Sequence, residues 1–155
     1  AMGGYGGALK NMSIGIASTK GKAWIHSAGT IIDPKKVWDN LPPQDSFLES
    51  MAEACESVID YMKGNIVYIN VLNNLSIDCD CDFNPEAPCM KDIGIMASID
   101  PVALDKASLD MIYQSNDPGR DHFIERVESR NGIHTILTAE KLNLGSTNYE
   151  LVNLD

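Results

Sequence analysis

Residues 65–72, Asn-Ile-Val-Tyr-Ile-Asn-Val-Leu, carry β-branched and aromatic side chains in both phases of the strand alternation. Eight such residues are short for a helix. With apolar groups at odd and even positions alike they predict a strand buried on both faces, with no wet side. A strand of that kind needs a layer on each side. The expectation for the chain is therefore an α/β domain with a layered sheet, mixed or mostly parallel, and this run near its centre.

The flanking sequence fills in the layers. Upstream, Pro42-Pro43 blocks a helix, and Ser46 with Glu49 has the spacing of a capping box before the apolar series Phe47, Leu48, Met51, Ala54, Cys55, Val58, Tyr61 and Met62, which Gly64 ends. Downstream, residues 93–99 read as a second strand. Asp100-Pro101 supplies an N-cap and a first-turn proline for a helix through Val102, Leu104, Ala107, Met111 and Ile112. A turn at residues 116–119 leads to helices over 120–129 and 135–144, with Asn131-Gly132 and Gly145 as stops, which makes about four helices. Residues 149–154 read as a last strand. Residues 13–32, where short apolar pieces alternate with Ser, Gly and Lys, read as irregular or briefly extended.

At 155 residues and 44% hydrophobic composition the chain is the size of one domain with a real core. Its net charge of −10 argues against nucleic acid as a partner, because phosphate neutralisation requires clustered Lys and Arg. No apolar run approaches the roughly 20 residues that would span a bilayer, and no charged-then-apolar leader precedes Gly3, so the expected compartment is the cytoplasm. Four cysteines are too few and too unevenly spread for a disulfide scaffold and read as reduced thiols or metal ligands. Ala1-Met2 resembles an expression scar, and from Gly3 onward the chain reads as one domain that is half of a longer architecture.

The densest chemistry is Asp78-Cys79-Asp80-Cys81-Asp82 with Glu86, Cys89 and Asp92, placed after the predicted strand. Carboxylates at this density raise neighbouring thiol pKa values, and a bound cation would relieve that. Cys79, Cys81 and Cys89, with Asp80 or a histidine as fourth ligand, would suit zinc, iron or an iron–sulfur cluster. An acidic loop of solvated aspartates with incidental thiols explains the same residues, and both readings stand. A second candidate is the segment of residues 3–11. There Gly4, Gly6 and Gly7 would let backbone amides approach a ligand, and Lys10 and Asn11 could hold a small anion. Its spacing is not that of a P-loop. His26 is the histidine placed to supply a nitrogen ligand or a proton. His122 and His134 sit at helix starts, and Cys55 falls on the apolar face of the first predicted helix, where a core role is expected. No nucleophile elbow, glycosidase carboxylate pair or Ser-His-Asp set is discernible.

Taken in order, Gly-Gly-Tyr-Gly-Gly-Ala-Leu-Lys-Asn at 3–11, Gly21-Lys22, His26-Ser27, Asp78-Cys79-Asp80-Cys81, Asp92-Ile93-Gly94-Ile95, residues 100–105 and Leu144-Gly145 resemble the carboxy-terminal half of the domain of unknown function 362 family of bacteria and archaea. Its members are often labelled iron-sulfur center proteins. The resemblance implies an amino-terminal α/β half and a ferredoxin-like insertion in the relatives; residues 33–45 stand here in place of that insertion, without a cysteine. Two functions follow as expectations. One is a metal- or iron–sulfur-associated domain with a redox or small-anion-binding role. The other is a non-catalytic binding or assembly module that forms a homo-oligomer or joins a partner supplying the amino-terminal half. In either case Asp105 lies inside the helix that starts with residues 100–105 and could face a site, but a solvated carboxylate is the expected role.

Overall fold

The computed structural model describes residues 2–79 and 82–154. The glycine-rich opening leads into a single turn of helix, α1 (Ala8–Lys10), which widens into a π-helical segment, Asn11–Gly15, closed by Ile16 N–H donating to the Asn11 carbonyl at 3.1 Å. α2 (Thr19–His26) follows, where the sequence predicts irregular structure. The Ser18 side chain caps it by accepting from Gly21 N–H, and its apolar side, Ala23 and Ile25, is buried. Burial against the next helix outweighs the weak helix propensity of Thr-Lys-Gly-Lys.

α3 (Gln44–Met62) starts two residues before the predicted capping box, so Ser46 lies within the helix and Pro43 precedes it without a side-chain cap. Glu49 takes another partner, His134, at 3.0 Å. Lys63 in the left-handed region ends the helix just before Gly64. β1 (Tyr68–Leu72) and β2 (Gly94–Ser98) come next, then α4 (Pro101–Tyr113), α5 (Arg120–Ser129) and α6 (Ile133–Lys141). The predicted caps of α4 are present: Asp100 accepts from Val102 N–H and Ala103 N–H through Oδ1, and from Ser146 N–H through Oδ2. α5 has the predicted bounds. Among the described residues there are thus six α-helices, two more than expected, because α1 and α2 lack strong sequence periodicity.

The sheet corrects the expected architecture. Mixed α and β content is present, but among the described residues the sheet has two strands, paired antiparallel with Ile69 opposite Ala97 and Val71 opposite Ile95. A layered, mostly parallel sheet is not formed, and residues 149–154 are not a strand. β1 is covered on one side. Tyr68 and Leu72 are buried, whereas Ile69 and Val71 are more than half exposed. α4 lies under the covered face, and α3 packs against α6 beyond it. Leu9, Val102 and Ile136 are fully buried at the centre, and Phe47, Leu48 and Met51 form a second cluster with Ile25 of α2. No helix among the described residues is long and apolar enough to cross a membrane.

Candidate functional site

The glycine-rich segment is built around one carboxylate. Asp105 projects from α4 with no exposed surface and accepts four hydrogen bonds: from Ala8 N–H at 2.8 Å, Leu9 N–H at 3.0 Å, Tyr5 O–H at 3.2 Å and Asn70 Nδ2–H at 2.9 Å. Two of these donors are first-turn amides of α1, groups with no partner inside their own helix, so Asp105 caps α1 from a different element. Burial pushes this carboxyl above the ordinary carboxylate range, and the four donors pull the other way. Burial, followed by the charge of Asp105, likewise pushes the Tyr5 phenol well up. The solvated carboxylate expected from the sequence is therefore the most enclosed charge-bearing group of the described chain.

Two of the predicted ligand-binding glycines have packing reasons for being glycine. A Cβ at Gly7 would lie 2.5 Å from Asp105 Oδ1. Gly4 has φ +82° and runs against Gly132, where a Cβ would come within 2.7 Å of the Gly132 Cα. Gly6 is exposed and meets nothing.

This segment forms a ridge between two hollows. One, of about 260 Å³, is lined by Gly4, Gly6 and Lys10 on one side and by residues 73–79 on the other, so the structure brings Lys10 and Cys79 to the same cavity. Among the described residues that line it, Lys10 is the one cationic side chain and Asp78 the one carboxylate. The other hollow, of about 400 Å³, includes Gly6, Gly7 and Asn11. Lys10 and Asn11, expected to grip one anion, thus face different hollows.

The acidic segment is organised by neighbours far away in sequence. Asp78 Oδ1 accepts from Arg126 at 2.8 Å and Oδ2 from Glu86 N–H at 3.1 Å; the Glu86 amide first, then the guanidinium, hold its carboxyl below the ordinary range. Asp92 closes the turn after β1 by accepting from Asn74 N–H at 2.9 Å and Asn73 Nδ2–H at 2.8 Å. Cys89 is half-buried with its amide donating to Leu75 O at 2.8 Å, and burial pushes its thiol up. Asp80 and Cys81, two of the four predicted metal ligands, lie outside the described residues. No three His, Cys, Asp or Glu side chains among the described residues converge as a metal ion would require.

His26 belongs to neither hollow. Its ring stacks on Phe47 at 5.1 Å and meets Trp38 edge-on at 5.6 Å, and Nδ1 hydrogen-bonds the Lys22 carbonyl at 2.7 Å, which assigns the proton to Nδ1. Burial lowers its pKa and favours the neutral ring. Cys55 is the core residue expected: its Sγ donates to Leu9 O at 2.9 Å, and burial raises its pKa to about 12. His134 pairs with Glu49 and His122 lies 4.0 Å from Glu86.

Sequence reasoning favoured a solvated Asp105 and missed its partners Tyr5 and Asn70, the latter also donating to Ser108. The signal was available, because Val102, Asp105, Leu109 and Ile112 share one helical face and that face is apolar.

A family model described as Domain of unknown function (DUF362) matches residues 1–110. Comparison with curated proteins and with solved structures gave no match.

Proposed function

Starting from a chain that belongs to the DUF362 family, whose description carries no activity, we propose that it is a non-catalytic binding or assembly module in which a second polypeptide covers the outer face of the sheet. One observation carries this reading. Val67, Ile69, Val71, Ile95 and Ile99 are between 60% and 81% exposed, and the strand alternation sets them on one side with Ala97. Together they present apolar surface on the order of several hundred Å², the scale of an exposed patch that is often functional. Isolated exposed apolar residues are ordinary; a strand pair with its whole outer face apolar is not. This reading assumes a cytoplasmic chain with reduced thiols.

The test is sedimentation velocity and apolar-dye binding on the full chain and on Ile69→Lys/Ile95→Lys. The expected result is a wild-type chain that self-associates reversibly as its concentration rises, and a double variant that stays monomeric and binds no dye. A wild-type chain that is both monomeric and dye-silent rejects the reading.

A metal- or iron–sulfur-associated role is a second reading, favoured by Cys79 opening into the same cavity as Lys10 and the glycine ridge. In that reading Cys79 and Cys81, with Asp80 or Cys89, would hold the group, and Lys10 would attract an anionic ligand. Metal and sulfide content per chain, measured on anaerobically purified protein and on Cys79→Ser/Cys81→Ser, is its test. Near-stoichiometric iron or zinc lost in the variant supports it, and none in either protein rejects it.

A further inference from the structure

We infer that residues 149–154 of a second copy of this chain add as a strand to the free edge of β1. The inference rests on the outer sheet face being an assembly surface and says which polypeptide meets the sheet and at which edge.

Among the described residues β1 pairs with β2 alone, so its other edge presents unpaired strand backbone. That edge faces the helical segment of residues 8–16 across the 400 Å³ hollow, with Met12 and Ile16 on one wall, residues 67–72 on the other and Leu109 and Ile112 beneath. A groove between a strand edge and a helix is the geometry in which an extended polypeptide docks: edge amides and carbonyls bind its backbone, and alternate side chains enter the groove. No residue lining the groove is charged, in a chain with 12 Lys and Arg and 22 Asp and Glu among 155 residues. The occupant is therefore an extended segment whose groove-facing side chains are uncharged, rather than a charged metabolite.

The chain carries such a segment. Residues 149–154 are Tyr-Glu-Leu-Val-Asn-Leu, a composition that suits a strand. Its start is fixed to the body, because Thr147 N–H and O–H both donate to Glu140 Oε1 and Tyr149 O–H donates to Asp110 at 2.8 Å. Beyond that anchor it runs without regular structure, and Leu151, Val152 and Leu154 are 53%, 66% and 92% exposed. Six extended residues span about 20 Å and the five of β1 about 17 Å, so the lengths match. Once added, Leu151 and Asn153 would enter the groove, and Glu150, Val152 and Leu154 would stand on the outer side past Ile69 and Val71. Exchange about a twofold axis makes two such additions. A stable interface buries roughly 800 Å² on each copy, and the two added strands with the outer faces packed on each other are the surfaces that would supply it.

The experiment uses the full chain in three forms: wild type, Val152→Pro, and Ile69→Lys/Ile95→Lys. Proline at 152 removes an amide that the added strand needs and leaves the body of the fold untouched. Sedimentation should give a dimer for wild type and monomers for both variants. A labelled peptide of residues 147–155 should bind the Val152→Pro protein saturably, and wild type at least tenfold more weakly because its edge is already filled. If Val152→Pro dimerises like wild type while the lysine variant does not, strand addition is overturned and the outer-face reading survives. If wild type is monomeric and the peptide does not bind, strand addition is likewise overturned, and dye binding decides the outer-face reading.

Discussion

The two faces of the β1–β2 pair are built from similar residues and meet different fates. The inner face, Tyr68, Asn70, Leu72, Met96 and Ser98, lies on α4 and joins the Asp105 network, with Asn70 Nδ2 donating to both Asp105 and Ser108 Oγ. The outer face is at least as apolar, yet Ile69, Val71 and Ile95 stand 60–71% exposed. Hydrophobicity therefore does not distinguish the buried side from the open one. What distinguishes the inner face is a buried polar network with its donors satisfied, which fixes how the glycine ridge, β1 and α4 sit together. The outer face has no such fixed geometry and is free to take a partner.

The largest effect is expected where the network is cut. Asp105→Ala leaves two α1 amides, the Tyr5 hydroxyl and an Asn70 amide hydrogen without their acceptor inside the core, and should cost about 3 kcal/mol or more. Equilibrium denaturation with urea measures it. A loss below about 1 kcal/mol would mean that water replaces the carboxylate and that the inner face is no more specified than the outer. Next comes Gly7→Ala, whose methyl would meet the Asp105 carboxylate at 2.5 Å. Pushing the ridge away from α4 should cost about 1–3 kcal/mol, whereas the same change at Gly6, where nothing lies within 4 Å, should be close to neutral.

These positions also mark where the sequence could be read and where it could not. The strands, α4 and α5 are legible because their signals are local: a β-branched run, an Asp-Pro start, and an Asn-Gly stop after α5. α2 is not, since Thr-Lys-Gly-Lys has little helical preference and the helix exists because Ile25 packs with Phe47 and Leu48 and Ala23 is buried. The apolar character of β1 was legible, but its exposure depends on how many strands join the sheet, which no local pattern states. In the site, Lys10 and Cys79 share a cavity as a ligand reading needs, but Asn11 faces elsewhere and His26 is taken up by Phe47 and Trp38. The Asp78–Arg126 pair joins residues 48 apart and has no sequence signature. Asp105 had one, its place on an apolar helix face, and was misread because a carboxylate is so seldom buried.

A third, smaller effect sharpens the contrast through pH. Burial raises the folded-state pKa of Asp105 above its ordinary value near 3.8, so in the interval between the two values the folded chain binds more protons than the unfolded chain. Its contribution to stability is then fully present below the ordinary value and declines as pH rises through the raised one. Measured by urea unfolding from the ordinary carboxylate range up to neutral pH, the stability margin of wild type over Asp105→Asn should shrink as pH rises. A margin that grows with pH would show that the four donors favour the ionised form more than burial penalises it.

The smallest effect on folding belongs to the outer face. In dilute protein, where association is negligible, Ile69→Thr/Ile95→Thr removes apolar groups that are already mostly in water, and threonine keeps the β-branched shape that suits a strand. Unfolding free energy should change by less than about 0.5 kcal/mol. The same pair at concentrations where wild type associates should lose the extra, concentration-dependent stability that binding the native state confers. A large loss in dilute protein would mean that these side chains already support the monomer fold, so the outer face would be part of the core rather than a surface held for a partner.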